Sequence, residues 1–482
     1  MQKENLIKLN IRQKASAALI LLLMVIALSA MFLLNADGKA LLAAPDKAAA
    51  VLAALLLLTF GLFLYLCNFA KRCVAEIKYM YMIFLLLVIC FQLNVIFSQP
   101  VMIYMRPVLT LCMLVTLLIG WKEGILFNFY QMLVLYLFDV YAGGFVFKDA
   151  AALYCAFNML ASGTYAVIYA DRNKQRFNTV LSAFRLGTLS MLVGAAIYVL
   201  VEGIDTAALI VAAFSFLSPV ISVLLYLGML PLFELAFNIV TPYRLNELTD
   251  HNRDLLKQLA EKAPGTFNHC LSVSILAEAC AVAIGENAQM ARAAAYYHDI
   301  GKIKNPLYFK ENQTDYDPHE DLTPELSANF IRKHAIEGFN ICRKHRLPDE
   351  IAYICLEHHG TTIIKYFYAQ AKKFTEGDLS TQQFKYHGPK PRSKIAVIIM
   401  IADAAEATLR AMEDRSRENV EARMQEIIDE RMVLEQFSDC DITMKDLSTI
   451  KDTIVKISAN IYHDRTEYPS VKFPAQGEEG EK

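Results

Sequence analysis

Ala291-Arg292-Ala293-Ala294-Ala295-Tyr296-Tyr297-His298-Asp299-Ile300-Gly301-Lys302 begins as a run of strong helix formers and ends on an adjacent histidine and aspartate. Alanine gives up no side-chain entropy in a helix, and glycine is favoured just past a helix end. The stretch therefore predicts a helix that delivers His298 and Asp299 where the chain turns. Working outward, the same half of the chain holds His269, His334, the adjacent pair His358-His359, and Asp403. Five of the ten histidines belong to this set. Imidazole and carboxylate bind borderline and hard divalent ions, and a carboxylate bridges two ions where a neutral imidazole does not. Together the seven residues look like the ligands of a two-metal hydrolase, with Asp299 as the natural bridge.

Adjacent imidazoles diverge by about 100° on a regular helix, so His358 and His359 share one site only near a helix end, which Gly360 supplies. One histidine alone on an apolar face is more often a satisfied core residue. Histidine-histidine and histidine-aspartate neighbours are costly core choices unless a metal or a hydrogen-bond network satisfies them.

The apolar fraction of the 482 residues is 55% and the net charge only −2. No global field points to a nucleic acid polymer as partner. The ten cysteines show no C-x-x-C spacing, so they read as packed thiols in a reducing compartment. Composition divides near residue 240. Apolar runs long enough to cross about 30 Å of hydrocarbon start near Ala17, Ala49, Tyr79, Val101, Gly124, Ala151, Val180 and Ala207. Lys3, Lys8, Arg12, Lys14, Lys71, Arg72, Lys78, Lys122, Arg172, Lys174 and Arg176 fall on alternate connections. The positive-inside bias then places both ends of an eight-span domain in the cytoplasm. A cleaved signal peptide is the alternative reading of the first span. Arg106 and Arg185 lie near span ends, where they are expected to snorkel, which leaves Asp139 and Glu234 as the candidates for pairing inside the membrane. Pro219 and Pro231 are expected to kink the last span.

The expected fold is all-α: a polytopic helical membrane domain over 1–240, a connector helix over 241–262, an all-helical cytoplasmic domain over 263–470, and a disordered acidic tail over 471–482. Helices are expected around Phe267–Ala283, Pro324–Lys344, Pro348–His358, Ser393–Met412, Arg417–Gln436 and Leu447–Asp464.

His298-Asp299-Ile300-Gly301-Lys302 is the HDIG form of the HD phosphohydrolase signature. Ala263-Pro264-Gly265-Thr266, Glu311-Asn312-Gln313, Glu357-His358-His359-Gly360-Thr361-Thr362 and Lys365-Tyr366-Phe367-Tyr368 extend the likeness. With them the chain resembles the seven-transmembrane HD family of bacteria, which includes PgpH-type cyclic di-AMP phosphodiesterases. The large extracellular domain usual after the first span is replaced here by about 35–48, which implies a shortened member. His387 departs from the family pattern and reads as a loop residue. The resemblance implies one ion on His269, His298, Asp299 and Asp403, and a second on Asp299, His334, His358 and His359. The ions would be iron or manganese.

The activity implied is hydrolysis of cyclic di-AMP to 5′-pApA at the cytoplasmic face of the bacterial inner membrane. Asp299 and Lys302 carry the catalytic roles, and Lys302, Lys365, Tyr366, Lys390 and Arg392 are the candidates for substrate contact. An HD phosphohydrolase acting on another signalling nucleotide is an alternative. A membrane receptor or scaffold that binds a nucleotide without cleaving it is another. The expected partners are the cyclic dinucleotide, the bilayer, and a second copy of the chain or another membrane protein.

Overall fold

The computed structural model describes residues 8–35, 44–99, 102–142, 150–172, 175–375 and 378–461. The acidic tail, the connections around Asp37 and Gly143-Gly144, and the stretch from Tyr462 to Pro469 lie outside them. The chain forms two compact units, Met1–Arg244 and Leu245–Lys482. Among the described residues the secondary structure is helical, with Ile363 and Lys385 forming an isolated bridge. The all-α expectation holds.

The first unit is built from α1 (Ile11–Asn35), α2 (Pro45–Asn68), α3 (Ile77–Ile96), α4 (Thr110–Leu118), α5 (Trp121–Ala142), α6 (Ala150–Arg172), α7 (Arg176–Glu202) and α8 (Thr206–Phe237). Two irregularities interrupt them. A 3-10 turn over Met102–Met105 precedes α4, and α6 contains a π-helical stretch over Met159–Gly163. Asp205 caps α8 by accepting from the Ala208 amide at 3.1 Å, and the helix continues through Pro219 and Pro231 for 32 residues.

Seven described helices are long and apolar enough to cross a membrane: α1, α2, α3, α6, α7, α8 and Pro264–Ala283. The last belongs to the second unit and carries His269, so length and hydropathy alone do not make a span.

The structure corrects the reading of Arg106. Its guanidinium is buried, not snorkelled, and makes two 2.6 Å bonds to the Asp139 carboxylate plus a 2.7 Å bond to Ser98 Oγ. Proximity to a span end allows escape to water, but here a carboxylate on α5 and the broken helix before α4 offer a bidentate partner. Arg185 is exposed, and Glu234 accepts from the Thr241 hydroxyl.

The second unit holds α9 (Asp254–Lys262), α10 (Pro264–Ala283), α11 (Ala288–Tyr297), α12 (Pro324–Lys344), α13 (Asp349–Glu357), α14 (Lys365–Phe374), α15 (Lys394–Ala411), α16 (Arg417–Val433) and α17 (Met444–Ile461). The stretch expected as one connector helix is instead two, Pro242–Leu248 and α9. Asp250 breaks it by accepting from the Asn252 amide at 2.9 Å, a local bond that competes with the helical ladder. Asn287, Thr323 and Ser393 cap α11, α12 and α15, while Pro264 and Pro324 occupy first turns where a missing amide costs nothing. Apolar faces of α10, α11, α15, α16 and α17 share one core, including Val273, Leu276, Ala294, Ile398 and Ile454.

Candidate metal centre

α11 ends at Tyr297, and a 3-10 turn over Ile300–Lys304 follows at once. The break lets His298 and Asp299 face the same space instead of diverging around a helix. Gly301 makes it possible: a Cβ there would strike the His334 carbonyl oxygen and lie 2.6 Å from the Gly338 amide nitrogen on α12. Gly301→Ala is expected to cost about 3 kcal/mol, the upper end for overpacking, read as a lowered thermal midpoint of the full-length protein in detergent. An unchanged midpoint would contradict this packing. The second turn works likewise. α13 stops at Glu357, Gly360 adopts φ +53°, and His358 and His359 fall in the turn between.

All seven residues singled out from the sequence converge. Asp299, His334, His358 and His359 form one set of potential ligand atoms within 4.8 Å of one another, and His269, His298, Asp299 and Asp403 form another. Asp299 belongs to both. Its Oδ2 lies 3.6 Å from His269 Nε2 and 3.4 Å from His298 Nε2, while its Oδ1 lies 3.3 Å from His334 Nε2 and 3.6 Å from His358 Nε2. Asp403 Oδ1 is 3.0 Å from His269 Nε2, and its Oδ2 is 3.7 Å from His359 Nδ1.

Several of these atoms fit a metal better than any protein partner. Among the described residues, His269 Nε2, His298 Nε2 and Asp299 Oδ1 are buried without a hydrogen bond. Leaving such atoms dry is costly unless an ion completes them. The far nitrogens are committed instead. His298 Nδ1 donates to the Ala295 carbonyl at 2.7 Å, His334 Nδ1 to Ile331 at 2.6 Å, His358 Nδ1 to Ile354 at 3.1 Å, and His269 Nδ1 to the Glu406 carboxylate at 2.6 Å. Such outer bonds fix the tautomer and present the opposite nitrogen to a metal.

The electrostatics differ between the two sets. Burial opposes charge on His269, yet Asp403 and Glu406 prevail and raise it to about 10. Burial likewise opposes charge on Asp299, but Lys302 and His298 hold its carboxyl well below the usual range. In the other set burial wins, lowering His334 to about 4 and holding His359 well below the ordinary histidine value, with His358 adding to it. His334, His359 and the ionised Asp299 are thus in the protonation states that ligate metals, whereas His269 must release its proton when an ion takes that proton's place.

Lys302 Nζ sits 2.7 Å from Asp299 Oδ2 and 2.8 Å from Glu311 Oε1, against the Phe309 ring. The other sequence candidates have local partners outside the seven ligands. Lys365 pairs with Glu430 at 2.6 Å, and Tyr366 is largely exposed. Lys390 donates to Ser438 Oγ at 3.1 Å, and Arg392 grips buried Glu357 at 2.7 and 2.6 Å. His387 is exposed.

Sequence reading missed Glu406, Glu311, Tyr386 and Gln436. Gln436 accepts from the Thr361 amide at 2.8 Å and secures the turn after His359. Two left a signal: Glu406 stands three residues after Asp403 on the same helix face, and Glu311 opens one of the stretches that carry the family likeness.

The family model described as "7TM receptor with intracellular HD hydrolase" matches residues 46–241, and that described as "HD domain" matches 266–408. The chain carries both regions, a membrane segment of the seven-transmembrane type and an HD domain. This HD domain is thus the second unit's metal-ligand scaffold, and the first unit makes the chain a multi-pass membrane protein. The chain is similar to the "Cyclic-di-AMP phosphodiesterase PgpH" of Bacillus subtilis, 40% identical over 294 residues, 61% of this chain and 38% of that protein. It is 38% identical over 333 residues to the protein of the same name in Listeria monocytogenes, 67% of this chain and 45% of that one. It spans less than half the length of these curated relatives. The crystal structure of the L. monocytogenes phosphodiesterase PgpH HD domain in complex with cyclic-di-AMP matches at 42% identity and TM-score 0.43, over 45% of this chain and 100% of that one.

Within the HD domain, Glu406→Gln keeps the size of the group that orients His269 and removes its charge. Metal affinity is expected to fall about 10–100-fold, as read by the free-metal concentration at half-saturation. Wild-type affinity in the variant would show that Glu406 does not tune the centre.

Proposed function

We propose that the chain is a membrane-anchored phosphodiesterase that hydrolyses cyclic di-AMP to 5′-pApA with two divalent ions, iron or manganese, held by the seven residues. The observation that carries the reading is the division of the Asp299 carboxylate between two complete ligand sets, in an HD domain similar to proteins named as cyclic di-AMP phosphodiesterases. The ions would supply an activated water and neutralise the phosphoryl oxygens during in-line attack. His269, His298 and Asp403 would hold one ion, and His334, His358 and His359 the other, with Asp299 shared. Lys302, fixed between Asp299 and Glu311, keeps a positive charge beside the bridge and would meet a non-bridging phosphate oxygen or the departing 3′-oxygen. The domain boundaries read from the sequence, eight spans and a cytoplasmic HD domain at the inner membrane are part of this proposal, supported by lysine and arginine on alternate connections.

The test is turnover of cyclic di-AMP by the full-length protein in detergent micelles with manganese or ferrous iron, with cyclic di-GMP and guanosine tetraphosphate as competitors. Selective release of pApA is expected. Binding of cyclic di-AMP without cleavage by the metal-loaded protein would move the assignment to a receptor. Cleavage of a competitor in preference would overturn the substrate.

A further inference from the structure

Among the described residues, His359 is the one histidine of the metal set whose ring nitrogens make no hydrogen bond. The other four are held through Nδ1 by Ala295, Ile331, Ile354 or Glu406. His359 is also the most exposed, at 24% of its side chain, so it has the most room to turn away from a metal. Its Nδ1 lies 3.7 Å from Asp403 Oδ2, beyond hydrogen-bond reach, and its ring packs against aromatic neighbours. The Tyr386 ring lies 4.2 Å from the His359 ring, centroid to centroid, with planes 28° apart. His358 packs against it at 4.0 Å.

The segment bearing Tyr386 is tied down on several sides. The Tyr386 amide donates to the Thr362 carbonyl at 2.9 Å, and the Ile364 amide to the Phe384 carbonyl at 2.8 Å. Arg332, two residues before His334, donates to the Gln383 and Lys385 carbonyls at 3.2 Å each. A ring held this firmly against an unanchored imidazole limits rotation about the His359 side chain, since offset aromatic pairs have a preferred geometry.

We infer that Tyr386 is the positioning residue for His359, supplying by ring stacking the orientation that hydrogen bonds give the other four histidines. Its consequence is local: Tyr386 governs the ion shared by Asp299, His334, His358 and His359, and not the one on His269, His298, Asp299 and Asp403. The inference rests on the two-ion reading proposed above.

Manganese uptake by full-length protein in micelles, followed through the paramagnetic resonance signal of free manganese, separates the two readings because it needs no substrate. Wild-type protein is expected to bind two ions. Tyr386→Leu, which keeps apolar volume but removes the aromatic face, should weaken one of the two by about 10–100-fold and leave the other in place. Tyr386→Phe should restore wild-type uptake. Uptake of fewer than two ions by the wild type would overturn the two-ion reading itself. Two ions in the wild type with a superimposable Tyr386→Leu isotherm would overturn the role of Tyr386 alone. So would equal weakening of both ions with a lowered thermal midpoint, or a Tyr386→Phe isotherm matching that of Tyr386→Leu.

Discussion

Full-length protein carrying Asp299→Ala is expected to hydrolyse cyclic di-AMP at least about a thousandfold more slowly than the wild type while still inserting into membranes. Asp299 is the residue common to both ligand sets, with Oδ2 toward His269 and His298 and Oδ1 toward His334 and His358. In the proposed two-ion site, removing it would take a ligand from each ion at once. Charge stabilisation by such ions is worth several kcal/mol, and each 1.36 kcal/mol is about tenfold in rate. Lys302 also loses one of its two carboxylate partners, so its ammonium is left buried beside Glu311 alone. Hydrolysis assayed beside metal content gives the check. Activity within about tenfold of wild type, at saturating metal, would refute the site.

The second large effect lies in the membrane unit. Asp139→Ala is expected to destabilise it by about 3–5 kcal/mol, the cost of leaving one member of a buried ion pair without its partner. Arg106 is 1% exposed and spends both terminal nitrogens on Asp139. The two side chains are 1% and 2% exposed, so the orphaned guanidinium would be left away from water among packed helices. The double variant Arg106→Leu/Asp139→Leu removes both charges and should be closer to wild type than Asp139→Ala. Thermal unfolding in detergent of the single and double variants gives the coupling between them. Additive losses, with the double variant the least stable, would show that the pair does not act as a unit.

These two sites differ in how far they could be read from sequence. His298-Asp299 and His358-His359 were legible because neighbouring metal-binding side chains next to a glycine have few other uses. Their convergence needs only local breaks, at Gly301 and Gly360, which the sequence also displays. Arg106 was misread because position within an apolar run reports depth in the membrane and says nothing of what lies alongside. Its partner stands 33 residues further along the chain, on α5. Tyr386 and Gln436 were invisible for the same reason: only packing brings Tyr386 against His359 and Gln436 against Thr361.

By itself, then, the sequence determined the helical class, the apolar first half and the seven residues able to hold metal. Those follow from side-chain chemistry and from periods of a few residues, both of which are written along the chain. The tertiary structure alone decided which oxygen of Asp299 faces which histidines, that Glu406 orients His269, that Arg392 is spent on Glu357, and that Arg106 is paired within the bundle. Each of those is a contact between residues distant in sequence, set by how helices pack and where their ends fall, and no local pattern encodes it.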